Sequence, residues 1–106
     1  MSHYVTTDNG NILVPIDKII FTPAIIQAIK EWRTTLPKLK YKREFTAPLN
    51  RMNEMILVME SDVPLPPVEL QPIGNTGYYD IINGRHRLAA SVILGYSHIP
   101  AIIFYE

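Results

Sequence analysis

The strongest constraint on the fold lies in the last third of the chain, where two strand-like runs flank a short apolar helix. The run Tyr79–Ile82 leads through Asn83 and Gly84 into Leu88–Leu94, which is apolar almost all the way round. Such a segment is typical of a helix buried on several sides. The β-branched run Ile99–Tyr105 predicts a second strand. This strand–helix–strand order requires a sheet on which the helix can pack.

The first third of the chain predicts one strand and one helix. The strand Ile12–Phe21 is expected to break near Pro15, since proline cannot donate to a sheet ladder. Thr22 and Pro23 are typical of the N-cap and the first position of a helix, and Pro37 is expected to end it. The apolar residues of its core face follow at helical spacing: Ile25, Ile26, Ile29, Trp32 and Leu36.

The middle of the chain predicts a second helix and another strand. The helix begins near Thr46, and the residues Leu49, Met52, Met55, Ile56 and Met59 form its apolar stripe. We interpret the methionines as core filler, because methionine fits irregular gaps. After a proline-rich connector, Val68–Leu70 is expected to pair with Tyr78–Ile82. The predicted fold class is α+β, with a small mixed sheet packed against about three helices.

Length and composition indicate one soluble domain. The 106 residues suffice for a single modest core, so residues 1–106 are expected to form one domain with residues 1–11 as a loose arm or short hairpin. Cysteine is absent, which excludes disulfides and thiol chemistry. No secretion signal or long apolar run is evident, and a cytoplasmic location is therefore expected.

The motif Asn83-Gly84-Arg85-His86-Arg87 places two cations where the helix dipole disfavours them. The first N–H groups of a helix lack intrahelical partners, and together with the dipole they favour an anion. A bound phosphate would make the arginines favourable there. The pattern therefore indicates a phosphate site formed by all five residues of the motif.

Helical geometry restricts how these side chains can cooperate. Residues two apart on a helix point about 200° apart, so Arg85 and Arg87 cannot both hold one phosphate from within a regular helix. Either Arg85 lies in the turn, or one arginine binds an acidic side chain. His86 is suited to binding phosphate, to acid–base chemistry or to capping the sheet edge. From the residues alone, a ligand site, a structural arginine–carboxylate network and coincidence all remain open.

The same residues resemble a known family. The pattern of Leu13–Ile20 and of Pro67–Phe104, with its Gly-x-His-Arg block at Gly84 and its Ile-Pro-Ala end, resembles the ParB/sulfiredoxin-like fold. That resemblance implies nucleotide binding, with the turn holding phosphates, as in CTP-binding ParB proteins, ATP-using sulfiredoxins and free-serine kinases. Sulfiredoxin activity is excluded, because Arg85 stands where sulfiredoxins have cysteine. Asn83 stands where the family often has aspartate.

The leading functional hypothesis is a ParB-like domain that binds a nucleotide or another phosphate ligand. The resemblance implies ATP or CTP with Mg²⁺ as the ligand, and hydrolysis or phosphotransfer as the accompanying chemistry. His86 and Glu69 are the candidate catalytic residues. Glu69 is expected to lie closest to the turn in the predicted hairpin, where a strand-edge salt bridge is its alternative role. The three scattered histidines and the absence of an acidic cluster predict no dedicated metal site.

Two alternative functions remain open. Residues 30–51 contain seven Lys and Arg against two Glu, and the alternation around Tyr41 is suited to a nucleic-acid backbone. The candidate contacts are Lys38, Lys40, Lys42 and Arg43, which would make the protein a DNA-binding ParB-like protein or a nuclease. The second alternative is a non-enzymatic plasmid or phage accessory factor, or an immunity-type protein that binds another protein.

Overall fold

The computed structural model describes residues 3–8, 10–39 and 55–105, and its fold is α+β as predicted. The strands are β1 (Ile12–Pro15), β2 (Val68–Pro72), β3 (Tyr79–Asn83) and β4 (His98–Ile103). The helices are α1 (Pro23–Leu39), α2 (residues 55–60 of the described part) and α3 (Arg85–Ile93), with a 3-10 turn at Ile16–Lys18. No helix in these described ranges is long and apolar enough to cross a membrane.

The four strands form one mixed sheet in the order β1-β4-β2-β3. The β1–β4 and β2–β3 pairs are antiparallel, whereas β2 and β4 are parallel. Because side chains alternate between the faces of a sheet, the register brings buried residues together on one face. Buried pairs across the sheet are Val14 with Ile99, Val68 with Ala101, and Leu70 with Ile81.

Helix α1 begins as predicted but ends later. The backbone N–H of Ile25 donates to the Thr22 hydroxyl at 3.3 Å, so Thr22 caps the helix ahead of Pro23. Ile25 and Ile29 are buried, whereas Ile26 is exposed and does not belong to the core face. The prediction that Pro37 ends the helix was wrong, since α1 continues to Leu39. A proline in the last turn removes one hydrogen bond, a smaller disruption than the same residue in a helix interior.

The methionine-rich stripe is a core feature where it is described. Ile56 and Met59 of α2 are buried, and Met55 packs against the core from a half-buried position. These contacts confirm the interpretation of Met59 as core filler. The predicted start of this helix at Thr46, with Leu49 and Met52, lies outside the described residues.

Helix α3 confirms the prediction of a helix buried on several sides. Leu88, Ala89, Ala90 and Ser91 are consecutive and buried, and the helix packs against α1 and β2. Its end is stabilised by Gly95, whose φ of 77° is left-handed. The N–H of Gly95 donates to the carbonyl of Val92 and that of Tyr96 to the carbonyl of Ser91, the paired bonds of a Schellman motif.

The described N-terminal residues 3–8 include a packed side chain and a strand bridge, which differs from the loose arm that was one of the two expectations for residues 1–11. Tyr4 is fully buried, and its hydroxyl donates to the carbonyl of Pro66 at 3.1 Å. Thr6 forms a parallel bridge with Leu65. A tyrosine buries a large apolar ring, and this burial holds the segment against the core.

The stability of the protein is expected to fall in alkaline solution through Tyr4. Burial raises its pKa to about 12 from the ordinary 10.0, and the nearby Arg87 charge offsets only part of that rise. The burial of the neutral phenol contributes about 2–3 kcal/mol to the free energy of unfolding. This contribution is complete below pH 10 and is lost as the pH rises through 12. Chemical denaturation from pH 8 to 12 should show a steeper loss for the wild type than for Tyr4→Phe. Parallel profiles would contradict this assignment.

Candidate functional site

The turn between β3 and α3 depends on a glycine. Gly84 is the N-cap of α3 and has φ of 100°, in the left-handed region that glycine adopts readily. A Cβ at this position would lie 2.6 Å from Cγ1 of Val68 and 3.1 Å from Nη2 of Arg87. The missing side chain therefore lets the first turn of α3 approach β2 closely.

The start of α3 leaves backbone donors available. The N–H of Leu88 makes the first helical bond, to the carbonyl of Gly84 at 2.9 Å. The preceding N–H groups, of residues 85–87, have no helical acceptor. No side chain in the described part of the chain caps this end, and its first turn contains no acidic residue. These donors and the helix dipole together favour a negatively charged group.

The predicted phosphate-binding residues surround one cavity. Asn83, Arg85 and His86 are exposed, whereas Gly84 and Arg87 are half-buried. The cavity has a volume of about 280 Å³. It is lined by Met55, Asn83, Gly84, Arg85, His86 and Arg87. The structure thus brings the five residues of the motif together around a space that a small anion can enter.

The two arginines have different surroundings. Arg85 is the first residue of α3, so the alternative that placed it in the turn was wrong. Nη1 of Arg87 donates to the carbonyl of Pro66 and, at 3.0 Å, to that of Pro67. Among the described residues, the acceptors of Arg87 are backbone carbonyls and not the acidic side chain of the other alternative. Arg87 therefore connects α3 to the segment that enters β2.

Glu69 lies at the sheet edge opposite Asn83. The two residues are register partners in β2 and β3, and Nδ2 of Asn83 donates to Oε2 of Glu69 at 2.6 Å. Among the described residues, Glu69 makes this amide–carboxylate hydrogen bond and not the strand-edge salt bridge that was its alternative role. One carboxylate consequently lies beside the motif, although it is not part of the cavity wall.

The remaining predicted sites lie elsewhere. Lys38 belongs to the helical backbone of α1, not to the extended segment expected there. Lys40, Lys42 and Arg43 lie outside the described residues, so the predicted nucleic-acid contact stays a prediction. Within the described ranges, no three His, Asp or Glu side chains are grouped as a metal site would require.

Three contributors to the site were missed by sequence reasoning. Met55 lines the cavity although its spacing assigned it to a core stripe. Pro66 and Pro67 supply the carbonyls that bind Arg87, and they appeared in the sequence only as a stiff connector. Backbone carbonyls occur at every residue, so no sequence signal identifies the ones that will bind a side chain.

The fold is similar to that of solved ParB and sulfiredoxin structures. ParB from Caulobacter crescentus, in complex with CTP-γ-S, superposes with a TM-score of 0.58 and 18% identity, covering 92% of this chain and 46% of that one. Sulfiredoxin from Arabidopsis thaliana gives a TM-score of 0.56 and 18% identity, covering 91% of this chain and 85% of that one. A free serine kinase in complex with AMP gives a TM-score of 0.53 and 17% identity, covering 95% of this chain and 33% of that one.

The family assignment rests on sequence. The ParB N-terminal domain model matches residues 34–105, so the chain belongs to the ParB N-terminal domain family. This confirms the predicted resemblance. A search of curated proteins found no match. The chain spans less than half of the ParB structure and about a third of the kinase structure to which it is similar.

Substitution of Gly84 should be more damaging than substitution of a glycine with similar backbone geometry in open space. Gly84→Ala introduces both left-handed strain and a clash with Val68, and we expect a loss of about 2–4 kcal/mol in unfolding free energy. Gly77→Ala is the matched control, since Gly77 has φ of 81° but nothing within 4 Å of the added Cβ. It should cost about 1 kcal/mol. Equal losses in urea denaturation would contradict the close packing of Gly84 on β2.

Proposed function

We propose that this protein binds a nucleotide through its phosphates at the turn Asn83–Arg87. The observation that carries the proposal is the uncapped start of α3, which opens into a cavity lined by Arg85, His86 and Arg87. Backbone N–H groups, the helix dipole and guanidinium groups all favour the same kind of ligand there. The cavity volume of about 280 Å³ is near the lower limit for small-molecule pockets and suits a phosphate chain, with the base outside.

Structural relatives support a nucleotide as the phosphate ligand. The ParB structure was determined with CTP-γ-S and the serine kinase structure with AMP. ATP and CTP are therefore the first ligands to test. Mg²⁺ fits this site as a companion of the nucleotide, because magnesium is commonly held by substrate phosphates and one or two carboxylates. Glu69, beside Asn83, is the residue that would supply such a carboxylate.

Binding is expected to depend on Arg85. We expect ATP or CTP to bind measurably in isothermal titration calorimetry, and Arg85→Ala to weaken binding about tenfold through the loss of one charge-assisted contact. Arg85 is exposed and makes no hydrogen bond or ion pair with another described residue, so its removal should leave the fold intact. Arg87→Ala is less informative, because Arg87 also joins α3 to Pro66 and Pro67.

A matched control removes a positive charge outside the cavity. Lys18 is exposed and lies over the ring of Tyr78 at 5.1 Å, away from the residues that line the cavity. Lys18→Ala should bind like the wild type. If none of ATP, ADP, CTP or GTP binds the folded wild type with or without Mg²⁺, the proposed function is wrong.

Phosphate transfer or hydrolysis is the chemical extension of this proposal. His86 lines the cavity and is exposed, which suits a group that exchanges protons with a ligand. Glu69 is hydrogen-bonded to Asn83 and suits a metal ligand or a base. We expect His86→Ala and Glu69→Gln to lower any nucleotide turnover about 100-fold or more while nucleotide affinity changes less. Phosphate release assays under saturating nucleotide test this, and unchanged turnover in both variants would exclude these roles.

A further inference from the structure

The guanidinium group of Arg87 has one anchored end and one end near the cavity. Nη1 donates to the carbonyls of Pro66 and Pro67. Nη2 lies 3.1 Å from the point where a Cβ of residue 84 would be, and both Arg87 and Gly84 line the cavity. A fixed Nη1 therefore holds Nη2 beside the turn, because the guanidinium is planar and rigid.

Tyr4 shares one of these anchoring carbonyls. Its ring is fully buried, and its hydroxyl donates to the same Pro66 oxygen that accepts from Arg87. A carbonyl oxygen has two lone pairs, so both donors can be accommodated. Burial raises the pKa of Tyr4 while the charge of Arg87 lowers it, which places the phenol and the guanidinium in each other's electrostatic field.

The backbone around Tyr4 fixes the anchoring segment as well. The N–H of Leu65 donates to the carbonyl of Val5 at 3.0 Å, and the N–H of Thr7 donates to the carbonyl of Leu65 at 3.1 Å. These bonds flank the Pro66 carbonyl on its N-terminal side. The backbone of residues 4–7 and the Tyr4 hydroxyl thus both hold the segment whose carbonyl orients Arg87.

We propose that Tyr4 is a positioning residue for the phosphate site. Its hydroxyl fixes the Pro66 carbonyl, and that carbonyl in turn fixes the guanidinium of Arg87. This inference rests on the proposed function, because it assigns Tyr4 a role in the affinity of that site. Tyr4 itself is fully buried and does not line the cavity. A donor held in its binding geometry loses less conformational entropy when a ligand arrives, so affinity should depend on the Tyr4 hydroxyl.

The first test measures affinity. Tyr4→Phe keeps the buried ring and removes only the hydroxyl, and its Kd for the tighter of ATP and CTP should rise about three- to tenfold, the equivalent of one weakened hydrogen bond. Ile29→Val, a buried α1 substitution outside the cavity lining, is the control for a general loss of stability. Ile29→Val should leave the Kd unchanged, even if it lowers the melting temperature of the protein as much as Tyr4→Phe does.

A double-mutant cycle separates positioning from a merely structural role. The effects of Tyr4→Phe and Arg87→Lys on the Kd should be strongly non-additive, since both act through the same guanidinium. The effects of Tyr4→Phe and Arg85→Ala should be additive to within about twofold. Additive effects in the first cycle would overturn the inference.

A ligand-free measurement keeps this inference distinguishable from the proposed function. Nitrogen-15 NMR of the Arg87 side chain should show slow rotation of the guanidinium in the wild type and faster rotation in Tyr4→Phe. Unchanged Arg87 signals would overturn the inference. An unchanged Kd in Tyr4→Phe, measured when the wild type binds nucleotide, would also overturn the inference but would leave the proposed function standing. If the wild type binds no nucleotide, the proposed function is overturned and the positioning role with it, even where the Arg87 signals change.

Discussion

The attachment of Arg87 to the carbonyls of Pro66 and Pro67 is the interaction on which the arrangement of the site depends. It joins the first turn of α3 to the segment entering β2, at the point where Gly84 lets the two approach within contact of Val68. A charged side chain half-removed from water must be paired, and two carbonyl acceptors meet that need without a carboxylate. Among the described residues, the positive charge of Arg87 is therefore not paired with a carboxylate.

This arrangement explains how a helix tolerates cations at its start. Arg87 is stabilised by carbonyl dipoles, while Arg85 projects into solvent, where water reduces its repulsion with the helix dipole. The carboxylate of Glu69 accepts a hydrogen bond from the amide of Asn83. The uncapped N–H groups and the two arginines, which point to different sides of α3, therefore form the electrostatic basis of the proposed nucleotide site.

Local signals predicted much of the fold because they act over a few residues. Thr22 before Pro23 marked the start of α1, and Gly95 marked the end of α3, since each satisfies backbone groups of its own turn. The same reasoning failed at Pro37, where the helix continues to Leu39, and at Tyr4, whose burial depends on residues far along the chain. Residues 1–11 were expected to form a loose arm or a short hairpin, but the buried ring of Tyr4 packs its part of this segment against the core.

The sequence by itself determined the α+β class, the Gly-x-His-Arg block and the position of the proposed anion site, because periodicity and the geometry of a helix start are encoded locally. Only the tertiary structure decided which arginine is anchored and which is exposed. It also decided that Glu69 contacts Asn83 and that the Tyr4 hydroxyl donates to the carbonyl of Pro66. The physical reason is that these contacts depend on backbone carbonyls and strand register, which are set by long-range pairing and leave no side-chain signature in the sequence.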